Sequence, residues 1–487
     1  MIRVLSMVCL AAAVCLAAAV ALLPSNAFAS EQMPRGVLIE SVRVESAQGQ
    51  SYALYLPSAY TPERKWPVLY AFDPAARGKL PVNLFRAAAE KFGYIVVGSN
   101  DSRNGLAPDA IAQIINALWT DTHARLSIDD ARVYATGFSG GARVANRFAS
   151  MCGGCVAGVI SSGAGFPADR APDSSLPYAF FGTVGRDDFN FREMRPLERT
   201  LDALGVTASR LVTFDGRHQW CPEEVCTEGI EWMELLAMRR GRKSKDDSLI
   251  DGALARLSSR AEALKRPEDA YERYALLRTI VQTFEGLRDV ARFRKEAAAL
   301  KETKEFAAAI AEEGRQIDEE QTRARGVVAA GGALLDEQTH DEALARVRRM
   351  LAPWREQAKL TEDSAARRIA RRTLAHVYAE TLESAQFIYE PRGEFKLAAA
   401  NLELAAEVFP ANAQTEFELA RALTLDGRKD RALDALGRAF DKGYRDSAAI
   451  EHEEAFAPLR PDKRFRKLLD RMREEPAGGT PGAKEKN

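Results

Sequence analysis

The run Arg132-Val133-Tyr134-Ala135-Thr136 leads into Gly137-Phe138-Ser139-Gly140-Gly141 and then into an amphipathic stretch ending near Met151. A strand-like run, a G-x-S-x-G pentapeptide and a helix in that order put the serine on a sharp turn. Glycines on both sides let the chain bend there without colliding side chains. The Ser139 hydroxyl is thereby exposed, and the unpaired backbone N–H groups at the helix start, Gly140 first, point to where an oxyanion would form. The chemistry these groups suit is acyl transfer through a covalent intermediate.

Such a serine needs a base and an acid, in the chain order serine, acid, histidine. The chain has five histidines. His340, His376 and His452 lie in a helix-rich second half, and His123 precedes the serine at the end of an expected helix. His218 remains, on the loop Phe214-Asp215-Gly216-Arg217-His218-Gln219-Trp220 after the last expected strand, where the base should lie. For the acid, Phe180-Phe181-Gly182-Thr183 ends a strand and is followed by Val184-Gly185-Arg186-Asp187-Asp188-Phe189-Asn190. Asp187 and Asp188 compete for the role; the one not used would be solvated or would cap the next helix.

These residues need a scaffold. From Gly36 to about Arg240, short β-branched or aromatic runs alternate with longer amphipathic stretches, predicting a mostly parallel sheet flanked by helices. Eight strands are expected: 37–44, 52–56, 67–72, 94–99, 132–136, 156–161, 177–182 and 210–214. Helices are expected at 81–92, 108–126, 140–151, 191–204 and 229–239. The loops after the third and fourth strands, Asp73-Pro74-Ala75 and Asn100-Asp101-Ser102-Arg103, would border the nucleophile, because such sheets bind ligands at the carboxyl ends of their strands. Phe138, Phe189, Phe191 and Trp220 could wall an acyl or aryl group. The short, proline-bearing stretch from Ser161 to Pro177 leaves little room for a covering helix, so an open, lidless site is expected.

Tyr52 to Met238, with the serine turn, the acid loop and the two bordering loops just quoted, resembles the α/β-hydrolases of the polyester depolymerase and feruloyl esterase-like group. The resemblance implies a serine ester hydrolase needing no metal or organic cofactor. It favours Asp188 as the acid, from its spacing to the glycine-rich turn and the Phe-Asn that follows. The usual His-Gly pattern of the oxyanion loop is absent and Pro74 has no N–H, so the second oxyanion donor should be Asp73 or Ala75. Asn100, Arg103, Phe138, Phe189 and Trp220 are the candidate substrate-binding residues. The substrate class implied is an ester, aromatic or attached to a polymer.

Beyond the basic stretch at 239–245 the texture changes, and a linker is expected at 241–248. From there to 474 the chain is rich in Ala, Leu, Glu and Arg and reads as successive helices. At a period of 34, Ala398, Leu402, Ala405 and Pro410 recur as Ala432, Leu436, Ala439 and Tyr444, which resembles the tetratricopeptide repeat. That resemblance implies a solenoid whose concave face could take a protein or peptide partner; the alternative is an appendage covering the first domain. Residues 475–487 are polar, rich in Gly, Pro and Lys, and expected to be disordered.

At the other end, Arg3, the apolar run Val8 to Leu23 and Ala27-Phe28-Ala29 read as a signal peptide cleaved after Ala29. Export to a periplasm or to the medium is expected, with membrane attachment only if the segment stays uncleaved. Of the six cysteines, Cys152, Cys155, Cys221 and Cys226 would then remain in an oxidising compartment, with Cys152–Cys155 and Cys221–Cys226 the simplest disulfides of three possible connectivities. A redox Cys-x-x-C or a four-cysteine metal site fits this context less well. The 487 residues suffice for two cores, and 68 basic against 69 acidic residues, a net charge of −1, give no field for nucleic acid. Two other functions compete: a peptidase on the same scaffold, which would need a gating domain ahead of it, and a non-catalytic interaction protein.

Overall fold

The computed structural model describes residues 33–474. The expected signal segment and the polar tail from 475 lie outside them.

Eight strands, β1 Leu38–Arg43, β2 Ser51–Tyr55, β3 Trp66–Phe72, β4 Ile95–Ser99, β5 Ile128–Phe138, β6 Gly158–Ser162, β7 Ala179–Gly185 and β8 Ser209–Phe214, form one sheet. Their order is β1-β2-β4-β3-β5-β6-β7-β8. β1 and β2 pair antiparallel, and β3 to β8 are mutually parallel. The parallel strands are continuous apolar runs because both faces are covered. On one face α1 Lys79–Phe92 and α5 Glu223–Arg239 bury Val82, Phe85, Ile230 and Met233; on the other α2 Pro108–Arg125 and α3 Gly140–Met151 bury Ile111, Leu118, Ala145 and Phe148. α4 Phe191–Ala203 packs on β7 and β8 through Met194 and Leu201. This is the α/β-hydrolase arrangement, and the parallel strands bring the serine, acid and histidine loops to one sheet end. α5 starts earlier than expected, at Glu223 behind Pro222, with Glu223 and Glu224 in its first turn; acidic side chains there complement the helix dipole.

The rest of the described chain is helical: α6 Asp247–Ala263, α7 Ala270–Phe284, α8 Ala291–Lys301, α9 Lys304–Gly331, α10 His340–Ala358, α11 Ala365–Glu383, α12 Phe395–Val408, α13 Ala413–Leu425, α14 Lys429–Asp441, α15 Ser447–His452 and α16 Lys463–Glu474. A π-helical turn, Ser384–Tyr389, follows α11. One apolar core runs from Leu235 and Met238 of α5 into α6 to α9, a second joins α9 to α12, and a third joins α12 to α16.

Cys152 and Cys155 form a disulfide just after α3, with Cα atoms 5.5 Å apart. The intervening Gly153 and Gly154, at φ 61° and 107°, let the chain close so short a loop. The second expected disulfide is not formed. Cys221 and Cys226 are buried thiols with sulfurs 3.3 Å apart. The two sulfurs are hydrogen-bonded to each other, and further contacts fix them: Ser162 donates to Cys221 Sγ, and Cys226 Sγ donates to the Cys221 carbonyl.

Candidate active site

Ser139 sits between β5 and α3 at φ 53°, ψ −122°, one of two non-glycine residues at positive φ among those described. Its surroundings explain the glycines: a Cβ at Gly137 would strike the Gly141 carbonyl, one at Gly141 the Phe72 carbonyl, and one at Gly140 the Asn104 carboxamide. The turn is pinned by Ser139 N–H donating to Ser162 O at 2.8 Å. Strain of this kind, held by the surrounding structure, presents a side chain outward.

Three side chains meet in a row. His218 Nε2 lies 2.9 Å from Ser139 Oγ, and His218 Nδ1 lies 2.8 Å from Asp188 Oδ1. A neutral imidazole satisfies both contacts when Nδ1–H donates to the carboxylate and Nε2 accepts from the hydroxyl. Asp188 is fully buried and also accepts from Asn190 N–H at 2.8 Å, which fixes its plane. The imidazole lies between Phe138 and Phe189, with ring centroids 4.6 and 4.2 Å away.

Asp187 is outside this row, and neither solvated nor a helix cap as its sequence context suggested. Its carboxylate is nearly buried and accepts from Arg371 Nη1 of α11 at 2.7 Å. The tertiary fold supplies a partner 184 residues away.

Of the oxyanion candidates, Gly140 opens α3, where its N–H has no intrahelical acceptor. Ala75 is ruled out as the second donor, since its N–H donates to Asp73 Oδ1 at 2.9 Å. The Asp73 backbone N abuts Gly141 beside the serine turn. The Asp73 carboxylate itself is fully buried and accepts from Arg77 and, at 2.8 Å, from Trp220 Nε1, so it braces its loop instead of meeting a ligand.

Next to these groups lies a cavity of about 650 Å³ lined by Ser139, Gly140, Asn104, Phe189, Arg143 and Glu193 from the sheet half. Of the five candidate substrate-binding residues, Phe189 alone lines it. Phe138 backs the imidazole, and Trp220 is buried behind Phe138. Asn100 instead ties the β1–β2 hairpin, donating to Glu40 O and Ser51 Oγ, each at 3.1 Å. Arg103 is exposed at a backbone bridge to Ala75, and its neighbours Asn104 and Gly105 face the cavity in its place.

The expectation of a lidless site is corrected here. The opposite wall comes from the helical half: Gln321 and Arg325 of α9, His376, Glu380 and Glu383 of α11, and Phe387 of the π-turn. The cover comes from chain far downstream and not from the segment after β6. An ion pair stands in the cleft, Arg143–Glu193 with its shortest contact at 2.6 Å, and His376 Nε2 lies 3.3 Å from Glu380 Oε2. Desolvation in the cleft raises the Glu383 carboxyl above its ordinary range, against the pull of His218 and Arg143. No local pattern marks these helical residues. Their one regularity is helical spacing, since 376, 380, 383 and 387, and separately 321 and 325, recur three or four positions apart. Among the described residues no group of side chains is arranged to hold a metal ion.

No protein-family model matches the chain, and no curated protein matches it. Among solved structures, S-formylglutathione hydrolase from Staphylococcus aureus is similar at 16% identity and a TM-score of 0.34, over 41% of this chain and 98% of that one. An esterase from Pyrobaculum calidifontis is similar at 14% identity and a TM-score of 0.35, over 42% and 87%. The feruloyl esterase module from Clostridium thermocellum, complexed with sinapinate, is similar at 15% identity and a TM-score of 0.33, over 40% and 85%.

Proposed function

We propose that this protein is an exported serine hydrolase that cleaves carboxylic esters through an acyl-enzyme. The observation that carries the reading is the unbroken row from Asp188 through His218 to Ser139, with contacts of 2.8 and 2.9 Å. In this reading His218 takes the Ser139 proton as Oγ attacks the ester carbonyl, and Asp188 orients the imidazole and stabilises its charged form. The N–H groups of Gly140 and Asp73 receive the oxyanion. His218 returns the proton to the leaving alcohol, and then activates the water that releases the acid and frees the serine. Phe189 and Phe387 at the cleft favour an aromatic or otherwise apolar group beside the ester. α12 to α14 are read as tetratricopeptide-like units, supported by the burial of Ala398, Leu402, Ala405, Ala432, Leu436 and Ala439.

The test is hydrolysis of nitrophenyl, feruloyl and short-chain polyester substrates by the protein and by Ser139→Ala. Turnover should fall at least about a thousandfold in the variant. Equal turnover by both proteins would remove Ser139 from the mechanism, and cleavage of peptides with no ester turned over would make the protein a peptidase.

A further inference from the structure

The loop that carries Asp188 is held from two sides. On the sheet side its N–H groups are spoken for: Arg186 donates to Phe214 O and Asp187 to Gly216 O, both at 2.9 Å, and Asp188 to Gly185 O at 3.1 Å. The first two tie the acid loop to the segment leading to His218, and the third closes the loop on itself. What they leave over, the Arg186 carbonyl and the Asp187 carboxylate, is taken up by two consecutive arginines of α11. Arg372 Nη1 donates to Arg186 O at 3.0 Å and Arg371 Nη1 to Asp187 Oδ2 at 2.7 Å.

Each guanidinium is also anchored behind. Arg372 Nε donates to Glu320 Oε1 of α9 at 2.8 Å, with the Arg372 side chain 1% exposed and its charge 4.3 Å from the Phe191 ring centre. Arg371 Nε donates to Ala358 O, the last residue of α10, at 2.8 Å. A planar, always charged fork with one edge on the helical scaffold and the other on the acid loop transmits position better than a flexible ammonium would. Burying such a cation contributes little net stability compared with apolar packing, so its value here lies in geometry.

We propose that α11 is a positioning element of the catalytic site: Arg371 and Arg372 clamp the two residues preceding Asp188 and so keep its carboxylate on His218. The proposal rests on the serine-hydrolase reading above. It makes the helical half a working part of the hydrolase, because the clamp and the far wall of the cleft come from the same helix.

The test is a double-mutant cycle in the full-length chain, with p-nitrophenyl butyrate turnover and the rate of Ser139 labelling by a fluorophosphonate as readouts. Arg371→Gln and Asp187→Asn should each lower kcat and the labelling rate about tenfold, with KM changed less than about twofold, as expected of a small misplacement of a catalytic group. The double variant should be no slower than either single one, because both remove the same bond. Arg372→Lys keeps a charge for Glu320 while losing the fork, and should also act on kcat. Wild-type kcat in the single variants, losses that multiply in the double variant, or an effect confined to KM would overturn the clamp. If Ser139→Ala is inactive while the clamp variants are fully active, the clamp alone fails; if Ser139→Ala is as active as wild type, the underlying reading fails.

Discussion

The helical half meets the sheet half along two seams of opposite character. Along the first, Leu235 and Met238 of α5 share an apolar core with Ile250, Leu257, Leu277 and Phe284, with a buried hydrogen bond from Trp232 Nε1 to Thr283 Oγ1 at 2.9 Å and ion pairs from Arg256 and Arg260 to Glu231 and Glu228 only at its exposed rim. Along the second, at the end of the candidate site, the contacts are ionic or charge-assisted: Arg195 and Arg199 of α4 on Glu313 of α9, and Arg371 and Arg372 of α11 on the Asp187 carboxylate and the Arg186 carbonyl. Apolar burial is non-directional and supplies free energy, whereas buried ion pairs add little net stability and fix where groups sit. By that difference the first seam should keep the halves together and the second should set their register over the candidate active site.

If that division holds, activity and stability should separate by seam. The largest effect marks the limit of what the second seam protects: Asp188→Asn should lower kcat by about 10⁴-fold with the fold intact, because the imidazole loses the group that sets its tautomer. A larger loss in Asp187→Asn than in Asp188→Asn would break the comparison, since it would make Asp187 the acid and not the clamp's handle. Phe284→Ala, in the first seam, should cost about 3–5 kcal/mol of stability in chemical denaturation while kcat stays within about twofold of wild type.

The smallest effect sharpens the second seam. Burial pushes the Glu320 carboxyl up to about 7 from an ordinary 4.5, outweighing the pull of Arg372. A group that holds its proton more tightly folded than unfolded lowers stability as pH rises between those two values and has no further effect above the upper one. Glu320→Gln should therefore flatten the fall in melting temperature from about pH 5 to about pH 7, by a few degrees at most. An unchanged slope would place the origin of that pH dependence elsewhere.

The eight strands were legible because each is a short apolar run between turn residues, and the serine turn because strand, glycines and helix are contiguous. His218 was reachable because the chain holds few histidines and the base must follow the serine. The loop of Asn100 and Arg103 lies at the sheet end as expected, but which of its residues face the cavity depends on backbone turns, and Asn104 and Gly105 line it instead. Ala75 failed as a donor because the Asp73 side chain captures its N–H. Cys221 and Cys226, close in sequence, are close in space as hydrogen-bonded thiols and not as a disulfide.

Periodicity and turn chemistry act between near neighbours, so the amino-acid sequence by itself determined the elements of both halves and the local geometry of the nucleophile. Only the tertiary structure decided which wall faces Ser139 and what holds Asp187, because those contacts join distant parts of the chain, 184 positions apart for Asp187 and Arg371, through side chains whose partners no local pattern specifies.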